Sequence, residues 1–343
     1  AAVSCYEVPA LSVVPALTAD YDERTSITRW RFLFGWGGGL AMLTLAFGVF
    51  LVPGPGYPVG QLNVNGYELY GWTGAGLMVL ATMVSALTTH RRLARLPDTP
   101  PTHLPLGQTI RQIGKILSNR AYLILILSSV FAFANQGMTF SATTYMMTYF
   151  WEMPQAGFLA YSATLFVGVI GAFLLVGALQ AHMEKRTGAI LAGIISLTFA
   201  VIPYSMRLAG LFPDNGSSLL IPLLFTLITI SNAFAVCAFM LSQSMAADVV
   251  EASQAETGER SEGLFFSGYF FVQKCASGLG IFLTGTIVSI SGFPEKARPG
   301  AVDDSVLQSL AIYFLLVMIA FAITSILILR RFPITRADHA QRL

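Results

Sequence analysis

Charged side chains are scarce in this chain of 343 residues. Lys, Arg, Asp and Glu make up 11% of it, against about 25% in soluble domains. Hydrophobic residues make up 55%, so a soluble fold would have too little polar surface to cover its core. The net charge of +2 gives no indication of nucleic-acid binding. The composition predicts an all-α, polytopic membrane protein, because lipid covers most of such a bundle.

Reactive and metal-binding residues are also few, with three cysteines and four histidines. Cys5, Cys237 and Cys275 lie in apolar stretches without metal-type or paired spacing, so we predict small core residues rather than disulfides. No Ser/His/Asp, Cys/His or metal-binding constellation is recognisable. The sequence therefore predicts neither an enzyme nor a cofactor.

Eight apolar stretches are long enough to cross a bilayer, since a spanning helix needs about 20 residues. A ninth, partial segment occupies Ala1–Leu17. Because the chain opens inside this apolar run and not with Met, we expect an N-terminally truncated chain with an incomplete N-terminal half. The full segments are predicted at Arg31–Val52, Leu69–Thr89, Ala121–Phe150, Phe158–His182, Ala189–Leu208, Leu219–Val249, Leu264–Ser291 and Val306–Leu329.

Basic residues alternate between loops in a way that predicts the orientation. Loops on one side carry most of the Lys and Arg residues, whereas the alternate loops hold only Arg207, Lys296 and Arg298. Lys and Arg are enriched on the cytoplasmic side of membrane proteins. We therefore expect the C-terminus to be cytoplasmic.

The stretch 91–120 interrupts the apolar segments. It is polar, carries four prolines, and ends with apolar residues at helical spacing beside Arg111 and Lys115. This pattern predicts a basic amphipathic helix on the cytoplasmic membrane face. The predicted regions are a partial N-terminal helical half at 1–90, a cytoplasmic linker at 91–120, a C-terminal six-helix half at 121–330 and a cytoplasmic tail at 331–343.

Glu7 and Lys274 lie deep within membrane-length segments, whereas the other charged residues lie in loops or near segment ends. A charge at mid-membrane costs about 3 kcal/mol or more, so it persists mainly where it faces a polar cavity. Each lies on the order of 18 Å from the predicted cytoplasmic boundary, at about 1.5 Å per residue. Opposite charges at equal depth in two halves predict a central binding cavity, as in a transporter.

Two loop regions carry a resemblance to a known family. The first comprises Glu7–Pro9 and Val14–Thr25, and the second comprises Ala247–Glu251 and Thr257–Gly263 with Lys274. Together they resemble the glycoside–pentoside–hexuronide cation symporters, the melibiose-permease-like branch of the major facilitator superfamily. The resemblance covers the whole chain and implies a major-facilitator-type helical bundle in the cell (inner or plasma) membrane.

The resemblance also implies a substrate and cation site. Glu7 falls where the family has an intramembrane acid, usually Asp, and Arg31 matches an arginine at the start of the fifth helix. Lys274 matches the lysine of the eleventh helix. Asn135 and Tyr145 match a polar and an aromatic position of the seventh helix.

Charged residues at the cytoplasmic loops allow two interpretations. They are either solvated charges, contributing about 0–1 kcal/mol per pair, or a cytoplasmic gate that holds the inner side shut. The gate would consist of Asp20, Arg24, Asp248, Glu251 and Arg260.

The function implied by the resemblance is cation-coupled symport, with H⁺ or Na⁺, of a sugar, glycoside or sugar acid by alternating access. The expected partners are a sugar-like small molecule, the coupling cation and the lipid bilayer, without nucleic acid. Two alternatives remain open at this point. One is a lysophospholipid carrier of the same superfamily, and the other is a membrane sensor or scaffold that does not transport.

Other residue patterns predict packing. Aromatic residues at the outer segment ends, including Tyr145, Tyr149 and Trp151, favour an interfacial belt. Amides such as Gln136 and Asn232 suit interhelical hydrogen bonds as well as sugar hydroxyls. Glycines of the membrane segments predict close helix contacts; they include Gly35, Gly37, Gly38, Gly39, Gly168, Gly171 and Gly177.

Overall fold

The computed structural model describes residues 21–54, 56–57, 59–94, 114–257 and 262–334. These residues form helices and their connections, with one isolated β-bridge between Gly54 and Tyr57. The all-α prediction is confirmed. The chain divides into two compact units, residues 1–107 and 108–343.

The described residues of unit 1 form two long helices. Helix α1 spans Tyr21–Leu45 and continues into a π-helical turn at Ala46–Phe50, and helix α2 spans Val64–Leu93. A Cβ atom on Gly66 would overlap the carbonyl oxygen of Phe50. The start of α2 therefore packs directly on the backbone at the end of the π-helical turn.

Unit 2 contains six long helices in the part of the chain that the structure describes. The longest is α6, with 38 residues. Helix α3 is continued by a second π-helical turn at Met146–Phe150. The six helices are α3 (Arg120–Tyr145), α4 (Gln155–His182), α5 (Lys185–Leu208), α6 (Leu220–Thr257), α7 (Glu262–Ile290) and α8 (Asp304–Leu329).

Polar side chains join neighbouring helices of unit 2. The Ser128 hydroxyl of α3 donates to the Ser325 carbonyl of α8 at 3.0 Å, and Ser325 donates back to the Ser128 carbonyl at 3.0 Å. The Asn232 amide of α6 donates to the Leu165 carbonyl of α4 at 3.2 Å. Such bonds favour helix association in lipid, where an unpaired polar group is costly. Of the two interpretations of Asn232, this bond favours the interhelical one.

Helices α3 and α7 approach each other so closely that their contact requires glycine. A Cβ on Gly137 of α3 would overlap the carbonyl oxygen of Ser277, and a Cβ on Gly280 of α7 would overlap that of Ala134. Small residues let helix backbones pack closely in membranes. The two helices therefore form a tight pair.

The same two helices run parallel. Tyr122 near the start of α3 donates to the Phe265 carbonyl near the start of α7, at 2.9 Å. Further along both helices, Thr284 of α7 donates to the Met138 carbonyl of α3 at 3.1 Å. The pairing advances in the same direction along both chains, as it does only in parallel helices.

Seven described helices are long and apolar enough to cross a membrane. Seven of the eight predicted segments coincide with them. The predicted segment Arg31–Val52 differs, because its apolar helical part is the shorter Phe34–Phe50. The same helix extends back to Tyr21 through a charged sequence, so only its second part is apolar. The partial segment Ala1–Leu17 lies outside the described residues.

Two aromatic residues predicted for the interfacial belt are buried instead. Trp151 is 1% exposed and Tyr149 is 8% exposed. Trp151 packs against Phe212, with ring centroids 5.4 Å apart, and Tyr149 packs against Phe293 at 4.9 Å. The belt prediction is wrong for both residues, because the loops of unit 2 supply aromatic partners that cover them.

The core prediction holds for one of the two described cysteines. Cys237 is buried in α6, as predicted for a core residue. Cys275 is exposed, so the core prediction is wrong there. It lies two positions before Ser277 on the α7 surface that turns away from α3. Cys5 lies outside the described residues.

Candidate functional site

Lys274 lies on the exposed surface of α7, inside the spanning segment Gly263–Ile290. It precedes Ser277 of the α3–α7 contact by about one helical turn. An ammonium group facing hydrocarbon at the helix centre costs about 2.5–3.5 kcal/mol or more. Its stem reaches only about 6 Å, too short for snorkelling to either interface. This surface of α7 therefore suits a polar surrounding.

Asn135 and Tyr145 of α3 do not lie on an open polar surface. Asn135 follows Ser128 by seven positions, about two turns, so it shares the α8-facing side. Its amide oxygen is buried and has no hydrogen-bond partner. Tyr145 packs its ring against Phe293, with centroids 5.8 Å apart. Both side chains face other parts of unit 2, and their role in ligand binding stays a prediction.

A different set of α3 residues forms an exposed polar surface, which we call the α3 patch: Gln136, Thr139, Phe140 and Thr143. The first three are exposed and Thr143 is half-buried. Their positions i, i+3, i+4 and i+7 place them on one helix face. In the sequence, the signal for this face was the helical spacing of the four residues, which begins one position after Asn135. It was ambiguous, because amides and threonines also occur in helix contacts.

Helix geometry puts Gln136 and Lys274 on the same side of the α3–α7 pair. Successive helical residues are rotated by about 100°. Gln136 is turned by about 130° in one sense from the middle of the contact made by Ala134 and Gly137. Lys274 is turned by about 90° in the opposite sense from the middle of the contact made by Ser277 and Gly280. In parallel helices, opposite turns from a shared contact face the same side.

Asp248, the predicted gate residue with the clearest geometry, forms an ion pair inside unit 2. The Lys185 ammonium at the start of α5 lies 2.6 Å from its Oδ1 and 2.7 Å from its Oδ2. The Asp248 side chain is 14% exposed and that of Lys185 is 35% exposed. Next to Lys185, Arg186 donates to the Phe332 carbonyl beyond α8 at 2.9 Å. This end of unit 2 is thus held together by two basic residues of α5.

The remaining predicted site residues are described less completely. Three lie outside the described residues: Glu7, Asp20 and Arg260. For three others the structure describes the helical backbone but not the side chain: Arg24 and Arg31 in α1 and Glu251 in α6. Among the described residues, no group of three His, Cys, Asp or Glu is placed to hold a metal ion.

Comparison with known proteins places these features in a family context. The sequence model of a family described as "MFS/sugar transport protein" matches residues 1–336. Three curated relatives are an uncharacterized symporter of Synechocystis (23% identical over 98% of this chain), the putative glycoside/cation symporter YagG of Escherichia coli (25% over 96%) and the inner membrane symporter YicJ of Escherichia coli (24% over 96%). The chain spans about two thirds of these relatives, at 73%, 66% and 66% of their lengths.

Proposed function

Since this chain belongs to the MFS/sugar transport protein family, we propose that it performs cation-coupled symport of a sugar, glycoside or sugar acid by alternating access. It is a multi-pass membrane protein of a transporter family, not an enzyme. The observation that carries the proposal is the exposed Lys274 inside a spanning helix. A charge at this depth is retained where it contacts a ligand or a counter-charge in a wet cavity.

The proposed coupling uses the two intramembrane charges. Glu7 alternates between a cation-bound or protonated state and a state that faces the sugar. Lys274 is the counter-charge, and its pairing changes as the site is loaded. A half-loaded site leaves charges poorly compensated, so the protein resists switching until both cation and sugar are bound.

Other parts of the proposal concern organisation. Residues 1–90 and 121–330 form the two helical halves, 91–120 is the linker, and the tail 331–343 is cytoplasmic. Arg31 approaches the substrate from α1. The ends of α1 and α6, with Asp20, Arg24, Asp248, Glu251 and Arg260, form the inner gate. A fluorescent protein fused to the C-terminus should fluoresce in cells if the tail is cytoplasmic, and a secreted phosphatase fused there should be inactive.

Transport is tested with the full-length protein in proteoliposomes. The probes are radiolabelled methyl galactoside, methyl xyloside and glucuronate, each with an imposed pH or Na⁺ gradient. We expect uphill accumulation of at least one probe, and its loss in Lys274→Val. The matched control is Lys296→Val, which removes an exposed lysine from the loop between α7 and α8. Full accumulation by Lys274→Val would refute the role of Lys274.

The same vesicles separate the alternative functions. Movement of a fluorescent lysophospholipid without movement of any sugar would replace the proposal with a lipid carrier. Saturable sugar binding without counterflow would indicate a sensor or scaffold. Counterflow without uphill accumulation would leave a facilitated carrier and remove the cation coupling.

A further inference from the structure

We propose that Gln136, Thr139 and Phe140 of α3 form a sugar-contacting subsite, which rests on the transport function proposed above. The Phe140 ring would stack on the apolar face of a sugar ring. The Gln136 amide and the Thr139 hydroxyl would bond the hydroxyl groups at its edge. The ligand class is therefore a hydroxylated pyranose or furanose ring.

The two exposed faces of α3 differ in chemistry. Leu123 is 44% exposed and Leu127 is 52% exposed. Leu127 precedes Gln136 by nine positions, a rotation of about 180° on the helix. The leucine face suits lipid, whereas an amide facing lipid without a partner is costly. The opposite face, which carries Gln136, is therefore the one suited to water or a polar ligand.

The α3 patch combines the groups that a sugar ring requires. Phe140 is 72% exposed, and it lies one turn beyond Gln136 on the same face. Among the described residues, none hydrogen-bonds the Gln136 amide, so both its donors and its acceptor are available within them. The Thr143 hydroxyl already donates to the Thr139 carbonyl at 2.7 Å, so the exposed Thr139 hydroxyl is the one assigned to the sugar.

The position of Lys274 indicates toward which side of the α3–α7 pair the site opens. It faces the same side of the α3–α7 pair as Gln136, and the tight contact at Gly137 and Gly280 fixes the spacing between the two helices. A sugar on the α3 patch would thus lie beside the α7 surface that carries the ammonium group. The patch supplies ring recognition, and Lys274 supplies charge.

Uptake kinetics test the contacts. With the probe that the wild-type protein accumulates, Phe140→Leu should raise KM about tenfold, because a lost aromatic contact of this size weakens binding by that order. Phe140→Trp should keep KM within about threefold of wild type. Gln136→Leu should raise KM by about tenfold as well. Phe282→Leu, at a 69% exposed phenylalanine of α7, is the control for Phe140→Leu. Leu127→Ala, on the opposite face of α3, is the control for Gln136→Leu. Both controls should leave KM unchanged.

Unchanged KM in both Phe140→Leu and Gln136→Leu would overturn the subsite. Equal effects of Phe140→Leu and Phe282→Leu would also overturn it, because they would indicate a general loss of packing. A rise in KM that is confined to the patch and is rescued by Phe140→Trp supports it.

Cysteine labelling gives a second readout that does not depend on transport. Gln136→Cys and Leu127→Cys are made in a background carrying Cys5→Ala, Cys237→Ala and Cys275→Ala, and both are exposed to a charged methanethiosulfonate reagent. The inference predicts that Gln136→Cys reacts at least about tenfold faster, since the thiolate forms in water and not in lipid. Equal rates would overturn it.

The two proposals fail in different ways. If the wild-type protein accumulates no sugar while Gln136→Cys labels rapidly, the transport function fails and the patch remains a water-exposed ligand surface. If the wild-type protein accumulates a sugar, but the patch variants have unchanged KM and Gln136→Cys is labelled no faster than Leu127→Cys, the subsite alone fails.

Discussion

The Lys185 ammonium and the Asp248 carboxylate form a two-point ion pair, with N–O distances of 2.6 Å and 2.7 Å. The pair joins the first residue of α5 to a position near the end of α6. It lies inside unit 2, so its first effect is to hold two helices of the same unit together.

Removal of either partner of this pair should lower the stability of the protein, and the two losses should not add in the double variant. Lys185→Met and Asp248→Asn should each cost about 1 kcal/mol, and the double variant should cost little more than either single one, because the same contact is lost. Thermal unfolding of the detergent-solubilised protein measures all three. Arg207 and Asp214 provide the control pair, because the Asp214 side chain is 94% exposed. Strictly additive losses at Lys185 and Asp248 would show that the contact contributes nothing.

The glycine contact between α3 and α7 should tolerate no side chain. Gly280→Ala would place a Cβ against the Ala134 carbonyl and should cost at least about 2 kcal/mol, because the backbone of both helices must shift. Gly278→Ala is the matched control on the same helix, since a Cβ there meets nothing within 4 Å. It should change stability by less than about 0.5 kcal/mol. Comparable unfolding temperatures for the two variants would contradict the tight pair.

Glu152 adopts a backbone conformation that is unfavourable for a side chain, with φ at 45°. A non-glycine residue in the left-handed region costs about 1–2 kcal/mol. Glu152→Gly should raise stability by about 0.5 kcal/mol after the greater chain entropy of glycine is subtracted. Glu152→Val should lower it by about 1 kcal/mol, because β-branched residues are worst in this region. Glu295→Val, in another exposed loop, should be nearly neutral. Urea unfolding in detergent would measure these differences, and equal stability of the Gly and Val variants would contradict the assignment.

Asp303 caps the start of α8 and makes that helix end sensitive to acid. The hydrogen bonds from the side chain and the backbone N–H of Ser305 hold the pKa of Asp303 below its usual 3.8. The folded state therefore binds the proton more weakly than the unfolded state does. The stabilisation is present above the unfolded pKa and is lost as pH falls through the lower folded pKa.

Hydrogen exchange of the first turn of α8 measures this effect. Protection should fall as the pH is lowered from about 6 to about 2.5 after correction for intrinsic exchange. Asp303→Asn keeps a capping oxygen without a titrating group, so its protection should lack this acid step. An identical acid step in Asp303→Asn would assign the titration elsewhere, for example to the neighbouring Asp304.

The spanning helices were predictable because their signal is large and local. About 20 consecutive apolar residues leave few alternatives in a chain with so little charge. Arg31–Val52 was the exception, because a helix need not end where its apolar sequence ends. The polar start of α1 continues in the same helix, and only hydrogen bonding along the backbone reveals this.

Contacts between helices were less predictable, because they depend on which faces meet. The sequence singled out Gly168, which does pack against Asn232, but also Gly35 and Gly177, where a Cβ would meet nothing within 4 Å. Backbone-to-backbone contacts between spanning helices lie at Gly137 and Gly280, which composition did not distinguish. A glycine matters for packing only where a neighbouring backbone approaches it.

Within the candidate site, Lys274 was predictable from its charge in an apolar run. The family resemblance implied Asn135, whereas the exposed α3 patch begins one residue later, at Gln136; the sequence alone does not give the rotation of the helix. One position turns a side chain by about 100°, which here separates the α8 contact from the exposed patch. Burial of Tyr149 and Trp151 likewise depended on loops that are distant in sequence.

Helix α6 has 38 residues, and at about 1.5 Å per residue it measures on the order of 57 Å. A bilayer with its headgroups is only about 40–45 Å thick. An upright helix of this length extends beyond the lipid by about 12–17 Å, or about two to three turns. The sole proline of α6, Pro222, lies in the first turn, so the helix is continuous. A force applied at its Thr257 end would therefore be transmitted through the full thickness of the membrane.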